Sequence, residues 1–242
     1  KAQGMVAWNY RNKNERTYTP TWSNAKWNTA AHPGELSSSS YSTNISNSLL
    51  IQGLLTYNKS WGIHCFDAML GASYESNNVN TSLQSVSDFP DDKSWVFDKN
   101  KGGTVKSNEI DYTENALLSY FGRVQYALMD RYLFSASLRR DGSSKFGSEN
   151  RWGWFPSVSA AWKLNEESFM KDIDWLGSAK LRLSWGQAGN DRIGEAQFLS
   201  NMVALNYAIG NSQNMASGYV PGNLANPLLG WETTTSYNIG ID

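Results

Sequence analysis

An antiparallel transmembrane β-barrel is the fold class this sequence predicts, and three observations predict it. Apolar side chains recur at every second position over much of the chain. The connections between these stretches alternate in length. One face of the stretches is apolar and rich in Trp and Tyr, whereas the other carries Ser, Arg and Lys. Side chains of a strand point alternately to its two faces, so such a stretch has one oily and one wet side.

The elements follow in chain order. In 2–11, Val6, Trp8 and Tyr10 oppose Gln3, Asn9 and Arg11. A weaker stretch occupies 47–57. In 62–75, Phe66, Ala68, Leu70, Ala72 and Tyr74 oppose Asp67, Ser73 and Glu75. Next, Leu118, Tyr120, Val124, Tyr126 and Leu128 oppose Ser119, Arg123 and Gln125. Tyr132, Phe134, Ala136 and Leu138 oppose Ser135, Ser137, Arg139 and Asp141. The clearest case runs from Trp152 to Leu164, with Trp152, Trp154, Pro156, Val158, Ala160 and Trp162 on one face. Its other face holds Gly153, Phe155, Ser157, Ser159, Ala161 and Lys163. Leu181, Leu183 and Trp185 then oppose Lys180, Arg182 and Ser184, and Thr235, Tyr237, Ile239 and Ile241 oppose Ser236 and Asn238. This makes about eight strands, most near the ~10 residues a tilted membrane strand needs. Between 165 and 177 the pattern predicts a small surface helix, with Asn165 as cap, Phe169, Ile173 and Leu176 as its stripe and Gly177 as its end.

Short connections are expected at 58–61 and 129–131, long ones at 12–46, 76–112 and 189–230, and a middling one at 142–151. In an up-and-down meander this gathers the long connections at one end, as in outer-membrane barrels. A soluble β-sandwich would also alternate, but its apolar face needs a second sheet and its loops need not sort by length. The Trp and Tyr residues near strand ends suit an interfacial girdle, as at Trp152, Trp154, Trp162 and Tyr132. Arg123, Arg139, Lys180 and Arg182 suit a wet lumen.

Composition narrows the field. The 242 residues are 13% aromatic, which argues against disorder, and 18% charged. No stretch approaches the roughly 20 apolar residues of a membrane helix. A net charge of −1 with scattered Lys and Arg gives no footing for nucleic acid. Cys65 is the lone cysteine, so neither an internal disulfide nor a Cys-rich zinc site is available. With His32 and His64 as the only histidines, a three-His metal centre is out of reach.

Several blocks resemble the SusC/RagA family of TonB-dependent outer-membrane transporters. They are Phe121-Gly122-Arg123-Val124-Gln125-Tyr126, the run from Arg131 through Arg139-Arg140-Asp141-Gly142-Ser143-Ser144-Lys145-Phe146-Gly147, and Trp152-Gly153-Trp154-Phe155-Pro156 through Trp162. They continue with Lys180-Leu181-Arg182-Leu183-Ser184-Trp185-Gly186-Gln187-Ala188-Gly189-Asn190 and Asn226-Pro227-Leu228-Leu229-Gly230-Trp231. The resemblance covers 110–242 well and 1–110 loosely. It implies that 1–242 is an internal segment of a larger barrel of about 22 strands, with plug domain, TonB box and C-terminal strands absent. It further implies import of a large nutrient, a glycan, oligosaccharide or peptide. The implied partners are a SusD-like surface lipoprotein, TonB acting through the N-terminal region, and outer-membrane lipid. The alternatives are a small structural barrel or adhesin, and a soluble carbohydrate-binding sandwich.

Catalysis finds no constellation. Asp91-Asp92 and Glu166-Glu167 read as solvated loop charges, and neighbours such as His64-Cys65 point to opposite faces of a strand. No catalytic residue and no cofactor is expected. A weak calcium candidate is the spacing of Asp98, Asn100, Thr104 and Glu109, which falls on an EF-hand-like register but has Gly102 at position five and Lys106 at position nine. The loop aromatics Trp22, Trp27, Tyr41, Trp95, Phe97 and Tyr219 are the ligand-binding candidates, since aromatic faces beside Asn and Ser suit glycans or peptides. Arg139, Arg140, Asp141 and Lys145 are expected to form one charge cluster at a loop base.

Overall fold

The computed structural model describes residues 1–20, 37–89, 103–170, 177–208 and 215–242. Its strands are β1 (Ala2–Thr19), β2 (Ser38–Trp61), β3 (His64–Ser87), β4 (Thr104–Leu128), β5 (Tyr132–Ser143), β6 (Trp152–Lys163), β7 (Lys180–Asn190), β8 (Met202–Ala208), β9 (Met215–Pro221) and β10 (Glu232–Ile241). Eight of them form an antiparallel sheet in the order β1-β2-β3-β4-β5-β6-β7-β10, and β8 pairs with β9 in a separate hairpin. The connections 62–63, 129–131 and 164–179 follow strands running one way. Those at 20–37, 88–103, 144–151 and 191–231 follow strands running the other. The turn at 129–131 is where the sequence predicts it. The expected connection 58–61 is instead strand, because β2 runs on to Trp61 and the turn falls at 62–63. The connection 164–179 is longer than 144–151, so the alternation of short and long does not hold throughout.

The chain divides into two compact units. The first holds Lys1–Ala7, Leu50–Glu75 and Asn115–Asp242. Its register places rows of apolar residues side by side. Val124, Ala136, Val158, Trp185 and Tyr237 form one row, and Tyr126, Phe134, Ala160, Leu183 and Ile239 the next. No described residue covers this face: Trp154 is 55% exposed and Val158 49%. A sandwich would have buried both. Aromatic pairs stack at each end of the rows, Tyr120 on Trp152 and Tyr132 on Trp162. Trp152 and Trp162 lie about 33 Å apart along β6, which at a tilt near 40° is about 25 Å of membrane depth, the height of a barrel's apolar band.

The second unit holds Trp8–Leu49 and Ser76–Glu114. Here β2, β3 and β4 reach 24 or 25 residues, far beyond what a bilayer requires. The expected long connections 12–46 and 76–112 are thus largely strand. Hydrophobic alternation misses this because both faces are polar. Asn14, Thr43, Asn44, Asn47, Asn78 and Thr81 link neighbouring strands through their own side chains at 2.9–3.2 Å. Ser37, fully buried, accepts the Phe89 amide on its hydroxyl at 3.1 Å, and Tyr18 meets the Phe89 ring edge to face.

The turns explain themselves locally. Gly62 occupies the first central position of the β2–β3 turn at φ 54°, a region open to glycine. The β4–β5 turn puts Met129 and Asp130 at φ 54° and 56°, closed by the Arg131 amide on the Leu128 carbonyl. Two successive left-handed residues turn the chain with the sheet's twist in this three-residue connection, but Met lacks the tolerance of Asn or Gly. Beyond β6 the described residues form one 3-10 turn, Leu164–Glu166, and bends to Met170. Phe169 is exposed there, while Ile173 and Leu176 of the expected helix lie outside the described residues. Glu167 accepts hydrogen bonds from the Tyr132 hydroxyl at 2.6 Å and the Trp162 indole at 3.1 Å, with Arg131 at 3.5 Å. These donors hold its carboxyl below the usual 4.5, the Tyr132 hydroxyl contributing most.

Two outcomes follow for the parent barrel, read as the temperature at which its gel mobility shifts. Replacing Met129-Asp130 by Asn-Gly relieves the left-handed strain and stabilises by about 1 kcal/mol. The Glu167 latch, having a lowered folded pKa, contributes in full above the ordinary glutamate range and is lost as pH falls through the folded value. The difference between the native protein and Glu167→Gln should therefore hold from neutral pH down to about 4.5 and vanish below it.

Candidate functional site

The face opposite the apolar rows carries the chemistry. Arg123 pairs in register with Ser137, Ser137 with Ser157, and Ser157 with Gly186. Counting in twos from these positions places Arg123, Arg139, Lys180 and Arg182 on that one face. Ser137 and Ser157 hydrogen-bond to each other there at 2.7 Å. Asn58 donates to Asp67, and Arg182 pairs with Asp242.

Arg139 is the most constrained of the four cations. Its Nε donates to Asp141 at 2.6 Å, an Nη donates to Ser119 at 2.8 Å, and the guanidinium lies 5.5 Å from the Phe121 ring centre. Asp141 is buried, and its second oxygen has no hydrogen-bond partner. A buried carboxylate beside one arginine keeps acceptor capacity for a further donor. Arg140 does not join this cluster, contrary to the sequence expectation. Adjacent strand residues point to opposite faces, so Arg140 stands among the apolar rows, 4.5 Å from the Trp152 ring centre and 5.0 Å from that of Trp154. Lys145 also turns elsewhere, its Nζ donating to the Asp191 carbonyl at 3.3 Å.

At the base of the connections 144–151 and 191–231 lies an aromatic knot. Phe146 is fully buried and packs 5.4 Å from Trp231, and Trp231 meets Phe155 edge to face at 5.2 Å. Gly153 and Gly189 lie directly under the Phe155 ring, where a Cβ on either would collide with it. Glycine is required by this close approach and not by backbone angles. The Trp231 indole donates to the Arg151 carbonyl at 2.9 Å, Ser143 to Asp191 at 2.9 Å, and Asn150 to the Pro227 carbonyl at 3.0 Å. Four of the blocks that carry the family resemblance, all but that at 121–126, therefore meet at one place. Sequence reasoning quoted these residues without seeing their role. The available signal was Phe155 itself, an aromatic out of pattern on a face of Gly and Ser.

Of the ligand candidates, Tyr219 lies on β9 and is 70% exposed, and Tyr41 is half-buried in β2. Trp22, Trp27, Trp95 and Phe97 lie outside the described residues, as do Asp98 and Asn100. Thr104 and Glu109 both belong to β4, not to a loop. An extended strand sets them about 17 Å apart on opposite faces, so these two do not converge on one ion. His64 bonds the Tyr126 hydroxyl at 2.6 Å and stacks between Trp61 and Tyr126, a wall role.

Residues 3–242 match the family model described as the β-barrel of TonB-dependent receptor-like proteins. TonB-dependent receptor SusC of Bacteroides thetaiotaomicron is 35% identical over 84% of the chain, which spans 19% of that relative. TonB-dependent receptor P39 of Formosa agariphila is 35% identical over 79% of the chain and 18% of its own length. The chain thus spans about a fifth of the curated relatives it matches. Among solved structures, the RagAB peptide importer in its closed-closed state superposes with a TM-score of 0.79 at 25% identity, covering 99% of the chain and 25% of that chain.

The knot is testable. Phe155→Ala empties a buried aromatic site and should destabilise by about 3 kcal/mol. Gly189→Leu should act in the same direction by expelling the ring. Limited proteolysis should then cut within 144–151 and 191–231 well before the native protein is cut there.

Proposed function

The chain belongs to the TonB-dependent receptor β-barrel family, and from that premise we propose that it forms wall strands and outer loops of an importer taking a large nutrient across the outer membrane. The family is a class of transporters. The observation that carries the reading is a sheet with two unlike faces. One is apolar, uncovered and banded by aromatic pairs; the other gathers cations, hydroxyls and carboxylates. Hydrocarbon accepts the first face, and a water-filled lumen suits the second.

On this reading Arg123, Arg139, Lys180 and Arg182 line the lumen and border the substrate path. The cargo is a glycan, an oligosaccharide or a peptide. The peptide stands beside the sugars because the superposing RagAB is described as a peptide importer. Tyr219, with Trp22, Trp27, Trp95 and Phe97, would touch cargo or seat a SusD-like surface lipoprotein. TonB would supply the energy through the N-terminal region of the parent protein.

The two faces predict opposite responses to one substitution. Val158→Arg puts a charge at mid-depth in lipid and should cost about 2–4 kcal/mol, blocking assembly in the outer membrane. Ser159→Arg, one residue on, should assemble normally. Equal tolerance of both would overturn the wall assignment. For import, cells lacking the parent gene should lose growth on an oligosaccharide or peptide fraction as sole nutrient. Unchanged growth on every fraction would overturn it.

A further inference from the structure

On the apolar face of β5, Arg140 stands without a counter-charge among the described residues. Arg140 sits in register between Tyr120 and Trp154, and its guanidinium lies between the Trp152 and Trp154 rings. Its Nε is buried against them with no hydrogen-bond partner. Three other arginines of these strands and turns have carboxylates: Arg131 has Glu167, Arg139 has Asp141 and Arg182 has Asp242. Arg140 has none among the described residues, since the positions around it on its face of β4, β5 and β6 are Leu118, Tyr120, Gly122, Leu138, Trp152, Trp154 and Pro156. A cation at the edge of hydrocarbon is costly until an anion meets it. Two indole faces hold it in place but do not neutralise it.

A groove opens directly below. It is about 890 Å³ and is lined by Leu70, Gly122, Ala136, Leu138, Trp154 and Val158, with Arg140 at its head. A second apolar groove of about 630 Å³ shares Val124, Ala136 and Val158 with it and continues past Phe134 and Ala160. Small residues make the floor, because Gly122, Ala136 and Ala160 stand where neighbouring rows carry large side chains. From Arg140 to Phe134 the slot runs about 20 Å along the strand, or about 15 Å of depth at barrel tilt, which is half of a hydrocarbon core. Arg140 lies toward the 144–151 connection that follows β5.

We propose that this is a binding site for an anionic membrane lipid, its phosphate on Arg140 and one acyl chain in the slot. The inference rests on the wall reading given above. Charge selects the head and the groove selects the tail: a zwitterionic lipid brings its own cation beside the phosphate, and free phosphate has no chain for the slot. Such a lipid would complete the electrostatics of the aromatic belt at this point of the wall.

The parent transporter, stripped of lipid in mild detergent, can be titrated with phosphatidylglycerol, phosphatidylcholine or inorganic phosphate and bound lipid counted by native mass spectrometry. Phosphatidylglycerol should bind at least tenfold more tightly than phosphatidylcholine. Arg140→Gln should abolish that preference, and Ala136→Phe, which fills the slot, should weaken both lipids. Arg140→Lys should keep most of the preference. An assembled, heat-modifiable Arg140→Gln protein that still prefers phosphatidylglycerol would overturn the site while leaving the wall reading intact. So would full competition by inorganic phosphate, or an Ala136→Phe protein that binds as before. Failure of the wall reading shows itself separately, as outer-membrane assembly of Val158→Arg.

Discussion

A backbone amide in hydrocarbon has no water to turn to, so every one must be bonded within the protein. This single constraint organises the sheet. Each interior strand gives both of its edges to neighbours, and β1 and β10 stand at the two margins with one neighbour each. Long strands, tight turns at alternate ends and an unbroken ladder all follow from it. In the second unit, side-chain amides and hydroxyls add further links between neighbouring strands.

The same ladder imposes the division of chemistry. Because the register is rigid, a one-residue step moves a side chain from oil to water. Arg139 and Arg140 are neighbours in sequence and strangers in space. One is held by Asp141, Ser119 and the Phe121 ring; the other is clasped by two indoles. Their different surroundings come from the pleat alone.

The aromatic knot serves another need. Loops carry most of the specificity in proteins of this architecture, and a loop can present a surface only if its base is fixed. Phe146, Phe155 and Trp231 supply that base with buried ring contacts, and Gly153 and Gly189 permit it by yielding room. The knot ties the ends of 144–151 and 191–231 to the strands that launch them.

Sequence by itself determined the strands of the first unit, their faces and the turn at 129–131, because hydrophobic burial in a strand repeats every two residues and leaves a local record. The motif blocks also identified the family. Tertiary structure alone decided four things. It carried β1 to β4 onward as polar strands, where two wet faces leave no alternation to read. It made the β8–β9 hairpin within 191–231. It drew Phe146, Phe155 and Trp231 together across 85 positions of chain. And it set Arg140 against Trp152 and Trp154 with an apolar slot beneath. These depend on which strand lies beside which, and contacts between distant segments leave no period in a sequence.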